Sequence, residues 1–94
     1  MTAYAIGYLT ISNTDWQGEY RPRLAEVLQR FEGEVLANAA PERLEGAATA
    51  PDRIVLIRFP SLEKARAWYA APDHQPLIKL RQTGARFDLF AIEA

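Results

Sequence analysis

Cysteine is absent from this 94-residue chain, and histidine occurs once. Without cysteine there can be no disulfide and no thiolate chemistry. One histidine and no cysteine cannot build a usual zinc or non-haem iron site, so no metal is expected. Charge of one sign is also lacking: 11 Lys plus Arg stand against 12 Asp plus Glu, a net charge of −1. The arginines are dispersed among glutamates, and no basic patch able to grip a phosphate backbone stands out, so nucleic acid is not an expected partner. No apolar run approaches the roughly 20 residues that span a bilayer, which leaves no membrane role. There is no glycine-rich phosphate loop, no Gly-x-Ser-x-Gly nucleophile elbow, and no internal repeat. The opening Met1 to Tyr8 lacks a charged n-region and reads as a strand rather than a signal peptide, so a cytoplasmic location is expected.

What is present is ordinary for a packed domain: 49% apolar and 24% charged residues, enough for one domain over 1–94. The most informative stretch is Arg53 to Tyr69, which passes from strand to helix within two residues. Side chains alternate along a strand, so Ile54 and Leu56 point one way and Val55, Ile57 and Phe59 the other. Both sets are apolar, whereas an antiparallel strand with one wet face would alternate apolar with polar. Ala3 to Ile11 is two-faced in the same way. Thr14 and Gln17 fit a capping box, and Pro22 places the start of the main helix near itself. Leu24, Val27, Leu28 and Phe31 form its apolar stripe, and Gly33 is expected to end it in a left-handed conformation.

Glu34 to Asn38 reads as a second strand, followed by the turn Ala39-Ala40-Pro41 and a short exposed strand at Glu42 to Glu45. Arg53 to Phe59 leads into a helix capped by Ser61. Leu62, Ala65, Trp68 and Tyr69 share one side of that helix, and Pro72 stops it. Asp73 to Thr83 is a further helical piece, and Arg86 to Glu93 the closing strand. The order strand, helix, strand, strand, helix, strand is the split βαβ, ferredoxin-like α+β pattern, with helices on one side of an antiparallel sheet. The other side then carries a large apolar patch, which is rare on a monomer. A face-to-face homodimer is the expected solution.

The block Arg53 to Glu63, with Ala65, Ala67-Trp68-Tyr69 and Pro72-Asp73-His74-Gln75, resembles the domain-of-unknown-function 1330 family, a branch of the dimeric α/β-barrel superfamily. Leu44-Glu45-Gly46 and Arg81 also sit where that family has similar residues. The chain departs from it in having Asn38-Ala39-Ala40 where a glycine pair is usual, and His74 where tyrosine is common. The resemblance implies a ferredoxin-like protomer in a dimeric α/β barrel, and no established reaction. Wider relatives include cofactor-free monooxygenases, haem-degrading enzymes, isomerases and ligand binders. Haem-degrading relatives also use an asparagine on the first strand; none stands there here, so neither haem nor another cofactor is expected.

His74 is the one side chain expected to titrate near neutrality unaided, which makes it the candidate catalytic base; the plainer reading is a surface histidine near a helix start. Trp68 is a candidate wall for an aromatic ligand, or a core residue. Tyr69 reads as core. Asn38 could orient a ligand carbonyl or serve a turn. Arg81, singled out by the resemblance, could clamp a carboxylate or pair with a surface acid. Tyr4, Tyr8 and Tyr20 could each donate a phenolic hydrogen bond into a cavity. Together these point to a small-molecule-binding homodimer holding an aromatic or acidic metabolite between sheet and helices, in the manner of a cofactor-independent monooxygenase or isomerase. The alternative is a non-catalytic ligand-binding or structural dimer module.

Overall fold

A computed structural model describes all residues 1–94. The chain runs β1 (Ala3–Ile11), α1 (Gln17–Arg30), β2 (Glu34–Ala39), β3 (Arg53–Phe59), α2 (Leu62–Ala70), α3 (Gln75–Gln82) and β4 (Ala85–Glu93). The strands form one sheet in the order β2-β3-β1-β4, antiparallel throughout. This is the ferredoxin-like α+β fold: each half is a strand–helix–strand unit whose two strands are separated by a strand of the other half. No helix is long and apolar enough to cross a membrane.

The period-2 pattern divides the sheet as its sequence requires. Ala3, Ala5, Gly7 and Leu9 of β1, with Ile57 and Phe59 of β3, are buried beneath the helices. Tyr4, Ile6 and Tyr8 face the other way, opposite Ile54 and Leu56 on one side and Phe90 and Ile92 on the other. Phe90 and Ile92 are 61% and 52% exposed, so this second face is apolar and uncovered. Tyr8 and Phe90 meet edge to face across it, at 6.0 Å between ring centroids. Charged pairs, Arg58 with Glu34 and Arg86 with Asp88, stand on the same face toward its margins.

Several boundaries differ from the sequence expectation, each for a local reason. Helix α1 starts at Gln17 and contains Pro22. Trp16 occupies the cap position with no side-chain cap bond. The entry is instead held by Asn13, whose Oδ1 accepts from the Asp15 amide and whose carbonyl accepts from Trp16 Nε1. Pro22 removes the bond that would reach the Gly18 carbonyl; both residues are exposed, so solvent can serve that acceptor.

At the far end the left-handed residue is Glu32, with φ 59°, and not Gly33. The amide of Gly33 donates to the Leu28 carbonyl and that of Glu32 to Gln29, a Schellman closure. Gly33 is needed for a different reason: a Cβ there would lie 2.7 Å from Leu28 Cδ2 and 2.8 Å from Phe59 Cε1.

The expected strand at Glu42 to Glu45 does not form. The outer edge of β2 stays unpaired, since β2 is hydrogen-bonded to β3 alone. Instead Arg43 donates to the carbonyls of Gly46 and Ala48 and shapes the loop itself. Ser61 does cap α2, its Oγ accepting from the Lys64 amide at 3.1 Å. Tyr69, expected in the core, is 44% exposed, and Trp68 takes the inward position beside it at 3%.

Phe59 is fully buried at the end of β3, where it packs on Trp68 at 5.3 Å. Phe59→Ala should therefore lower unfolding stability by about 3–5 kcal/mol, the cost of a large buried cavity. Denaturant titration checks this, and a loss below about 1 kcal/mol would contradict the packing described.

Candidate functional site

The helices do not fill all the space above the sheet. A cavity of about 110 Å³ remains between α1, β3 and the α2–α3 unit, with Tyr20, Trp68, Arg81 and Phe87 among its walls. A second, more open groove of about 430 Å³ lies between α2 and β4, lined by Ala65, Tyr69, Leu89 and Ala91. Trp68, Arg81 and Phe87 line both spaces and so form their common wall. Neither space is lined by Asp or Glu, while Arg21, Arg53 and Arg81 border the inner cavity.

Arg81 is the central group. The last turn of α3 carries it inward, and it is only 5% exposed. Its Nη1 donates to the Tyr20 hydroxyl at 3.1 Å, and its Cζ lies 4.4 Å from the centroid of the Phe87 ring. Five ion pairs occur in the structure and none includes Arg81. Its Nε is buried without a hydrogen-bond partner. Phe87 can lie there because β1 has a glycine beneath it: a Cβ on Gly7 would stand 2.1 Å from Phe87 Cζ.

Trp68 sits between Phe59 on one side and His74 on the other, with ring centroids at 5.3 and 4.6 Å. Its Nε1 is a second buried donor without a partner. His74 is fully buried at the start of α3 rather than on the surface. Its Nδ1 lies 3.0 Å from the Trp68 carbonyl, a distance that the neutral ring satisfies by donating Nδ1–H. Nε2 is then the acceptor nitrogen, buried and unpaired. His74 lines neither space; it backs the tryptophan that does.

Burial pushes the His74 pKa below its ordinary value of 6.5, and the positive charge of Arg81 acts in the same sense. The Trp68 and Tyr69 carbonyls and Asp73 oppose this and do not overcome it. The neighbouring Asp73 is exposed and turned toward Arg30, whose hydrogen bond holds its carboxyl below the usual range. The ion pair ties the end of α1 to the α2–α3 turn.

Asn38 lies within β2 rather than in a turn. Its Oδ1 accepts from Arg53 Nε at 2.6 Å and its carbonyl from Arg53 Nη2 at 2.5 Å, so it holds an arginine at the cavity's edge. Of the sequence candidates, Tyr20, Asn38, Trp68 and Arg81 line the inner cavity, His74 stands behind it, and Tyr4 and Tyr8 lie on the opposite face of the sheet. Arg53 and Phe87 were not among the candidates. Gly7 carries a usable signal for Phe87, since glycine inside a strand often marks a close approach. No group of three or more His, Cys, Asp or Glu gathers to hold a metal.

With this geometry in view, the chain matches the family described as Domain of unknown function (DUF1330) over residues 2–94, and it belongs to that family. No curated protein matches it. Among solved structures it is similar to RPA0582 of Rhodopseudomonas palustris, a protein of unknown function, with a TM-score of 0.81 and 14% identity over 99% of this chain and 82% of that one. A dimeric ferredoxin-like protein of unknown function from Jannaschia sp. CCS1 gives a TM-score of 0.76 and 15% identity, with both chains covered fully. SnoaB, a cofactor-independent oxygenase from Streptomyces nogalater, gives 0.70 and 11%, over 99% of this chain and 92% of that one. At such identities the likeness shows the fold alone.

The pKa of His74 has a consequence for stability. A base with a lowered native pKa is protonated first in the unfolded chain, so its contribution is complete above the unfolded value of 6.5 and declines as pH falls below it. Unfolding midpoints measured between about pH 7 and pH 5 should fall with pH, and His74→Gln should flatten that slope. A wild-type slope unchanged by the substitution would contradict a buried, neutral imidazole.

Proposed function

We propose that this protein is a homodimeric binder of a small organic acid, held between sheet and helices with its anionic group at Arg81. The carrying observation is the guanidinium itself: it is 5% exposed and has no carboxylate partner. Removing an ion from water costs several kcal/mol unless an opposite charge compensates. The protein supplies a phenol and an aromatic face, which lessen this cost without neutralising the charge. A bound carboxylate or enolate would do so, as a charge-assisted pair with a planar fork. Trp68, Phe87 and Tyr20 offer flat apolar walls for the rest of the molecule. Arg53, held by Asn38, extends the positive field to the edge.

His74 enters this reading as a positioning residue. Its ring supports Trp68 from behind and its Nδ1 holds the Trp68 carbonyl. The fold is shared with a cofactor-independent oxygenase, which supports catalysis on this scaffold only as an analogy of fold. The uncovered sheet face supports the dimer, as do relatives described as dimeric. Each large apolar side chain fully buried there would contribute about 1.5–3 kcal/mol. A purely structural dimer would give no reason for a buried, unpaired arginine. The cytoplasm is the location this reading assigns.

Thermal denaturation with propionate, benzoate and phenylacetate tests the proposal. Wild type should show saturable stabilisation by at least one of them, while ligand-free Arg81→Gln should fold at least as stably, having lost an uncompensated charge. Its affinity for the same acid should drop by about tenfold or more. Equal stabilisation of both proteins, or no response of wild type to any of the three, would overturn the reading.

A further inference from the structure

The inner cavity has a closed end and an open one. Tyr20, Trp68 and Arg81 among its walls are buried, whereas Arg21, Val35 and Asn38 are exposed. Its mouth therefore lies beside β2, every residue of which is exposed. Arg53 borders that mouth. Its place in β3 turns it to the helix side of the sheet, in line with Val55 and Ile57, which also line the cavity.

The arginines divide according to whether they line this space. Arg23, Arg30, Arg58 and Arg86 lie outside it, and each has a carboxylate partner. Arg21, Arg53 and Arg81 line it and have none, and no Asp or Glu lines it either. Three cations with no anion among them leave a net positive field along the cavity. One carboxylate at Arg81 would balance a single charge of the three.

Of the two arginines nearer the solvent, Arg53 is the one held in place. Asn38 Oδ1 accepts from its Nε at 2.6 Å, and the Asn38 carbonyl accepts from its Nη2 at 2.5 Å. Both protons on Nη1 remain unengaged. A guanidinium already oriented by the protein loses little freedom when it binds.

Resting on the acid-binding reading above, we propose that the ligand is a short-chain dicarboxylate, with one carboxylate at Arg81 and the second at Arg53 in the mouth. The cavity measures about 110 Å³, room for a few water-sized units of about 30 Å³ each, so the carbon chain between the two groups is short.

Calorimetry with matched ligands tests this. Malonate, succinate and glutarate are each compared with their half-amide and with the monoacid of equal chain length: propionate, butyrate and valerate. Every set keeps one carboxylate and changes only the far group. Wild type should bind at least one diacid about tenfold more tightly than either of its two analogues. Arg53→Gln should abolish that advantage and leave the monoacid affinity unchanged, whereas Arg81→Gln should weaken diacid and monoacid alike.

Wild-type ¹H–¹⁵N spectra supply a readout that needs no variant. The Arg53 Nε–H resonance should move with the preferred diacid and hold still with the matching monoacid. Equal affinities within all three sets, or a diacid advantage that survives Arg53→Gln, would overturn the dicarboxylate assignment while leaving an acid site in place. Failure of every diacid and every monoacid to bind would instead overturn the acid site, and this assignment with it.

Discussion

The central strands β1 and β3 are apolar on both faces, and three helices of 14, 9 and 8 residues are all the chain has to cover the sheet. Alternation along β1 and β3 fixes which side chains go to each face, so the shortage cannot be relieved by sliding a strand: a one-residue slip exchanges the faces. Every other notable feature follows from this imbalance. On the helix side the cover is incomplete, and the inner cavity and the α2–β4 groove remain. On the other side Ile6, Leu56, Phe90 and Ile92 have no helix at all.

The polar groups near the gap are placed by the turn between α2 and α3. That turn brings His74 back under Trp68, and one helical stretch later α3 delivers Arg81 to the same wall. The result is a packed cluster of Phe59, Trp68 and His74, with successive rings tilted by 40° and 31°, and with the Arg81 cation on the neighbouring Phe87 ring. Such an arrangement holds the guanidinium in place, which would lower the ordering cost of binding the acid proposed for it. Gly7 is part of the same device, since only its missing side chain lets Phe87 lie flat enough to underpin Arg81.

Much of the fold was legible because its signals are periodic. The two-faced strands, the Leu24–Phe31 stripe and the Ser61 cap each report a local pattern that the tertiary structure keeps. Features set by tertiary contact were not legible. Pro22 argues for a helix start, yet the chain gains enough by docking Tyr20 and Trp16 to carry helix through the proline's predecessors. Gly33 looks like a left-handed cap, but Glu32 takes that conformation and Gly33 is reserved for contact with Leu28 and Phe59. Trp68 and Tyr69 are adjacent aromatics at the edge of one stripe, and only the position of His74 and Phe59 decides which turns inward. Burial of His74 and Arg81 was equally invisible, because a lone histidine and a late-helix arginine most often stay wet. The resemblance to a known family pointed at Arg81; its missing counter-charge emerged only in three dimensions.

The central claim is that the bare sheet face is covered by a second copy of the chain. Sedimentation velocity of the wild-type protein at micromolar concentration tests it most directly. The account predicts one species of twice the 10.6 kDa chain mass. A single, well-behaved species of 10.6 kDa across that range would contradict it.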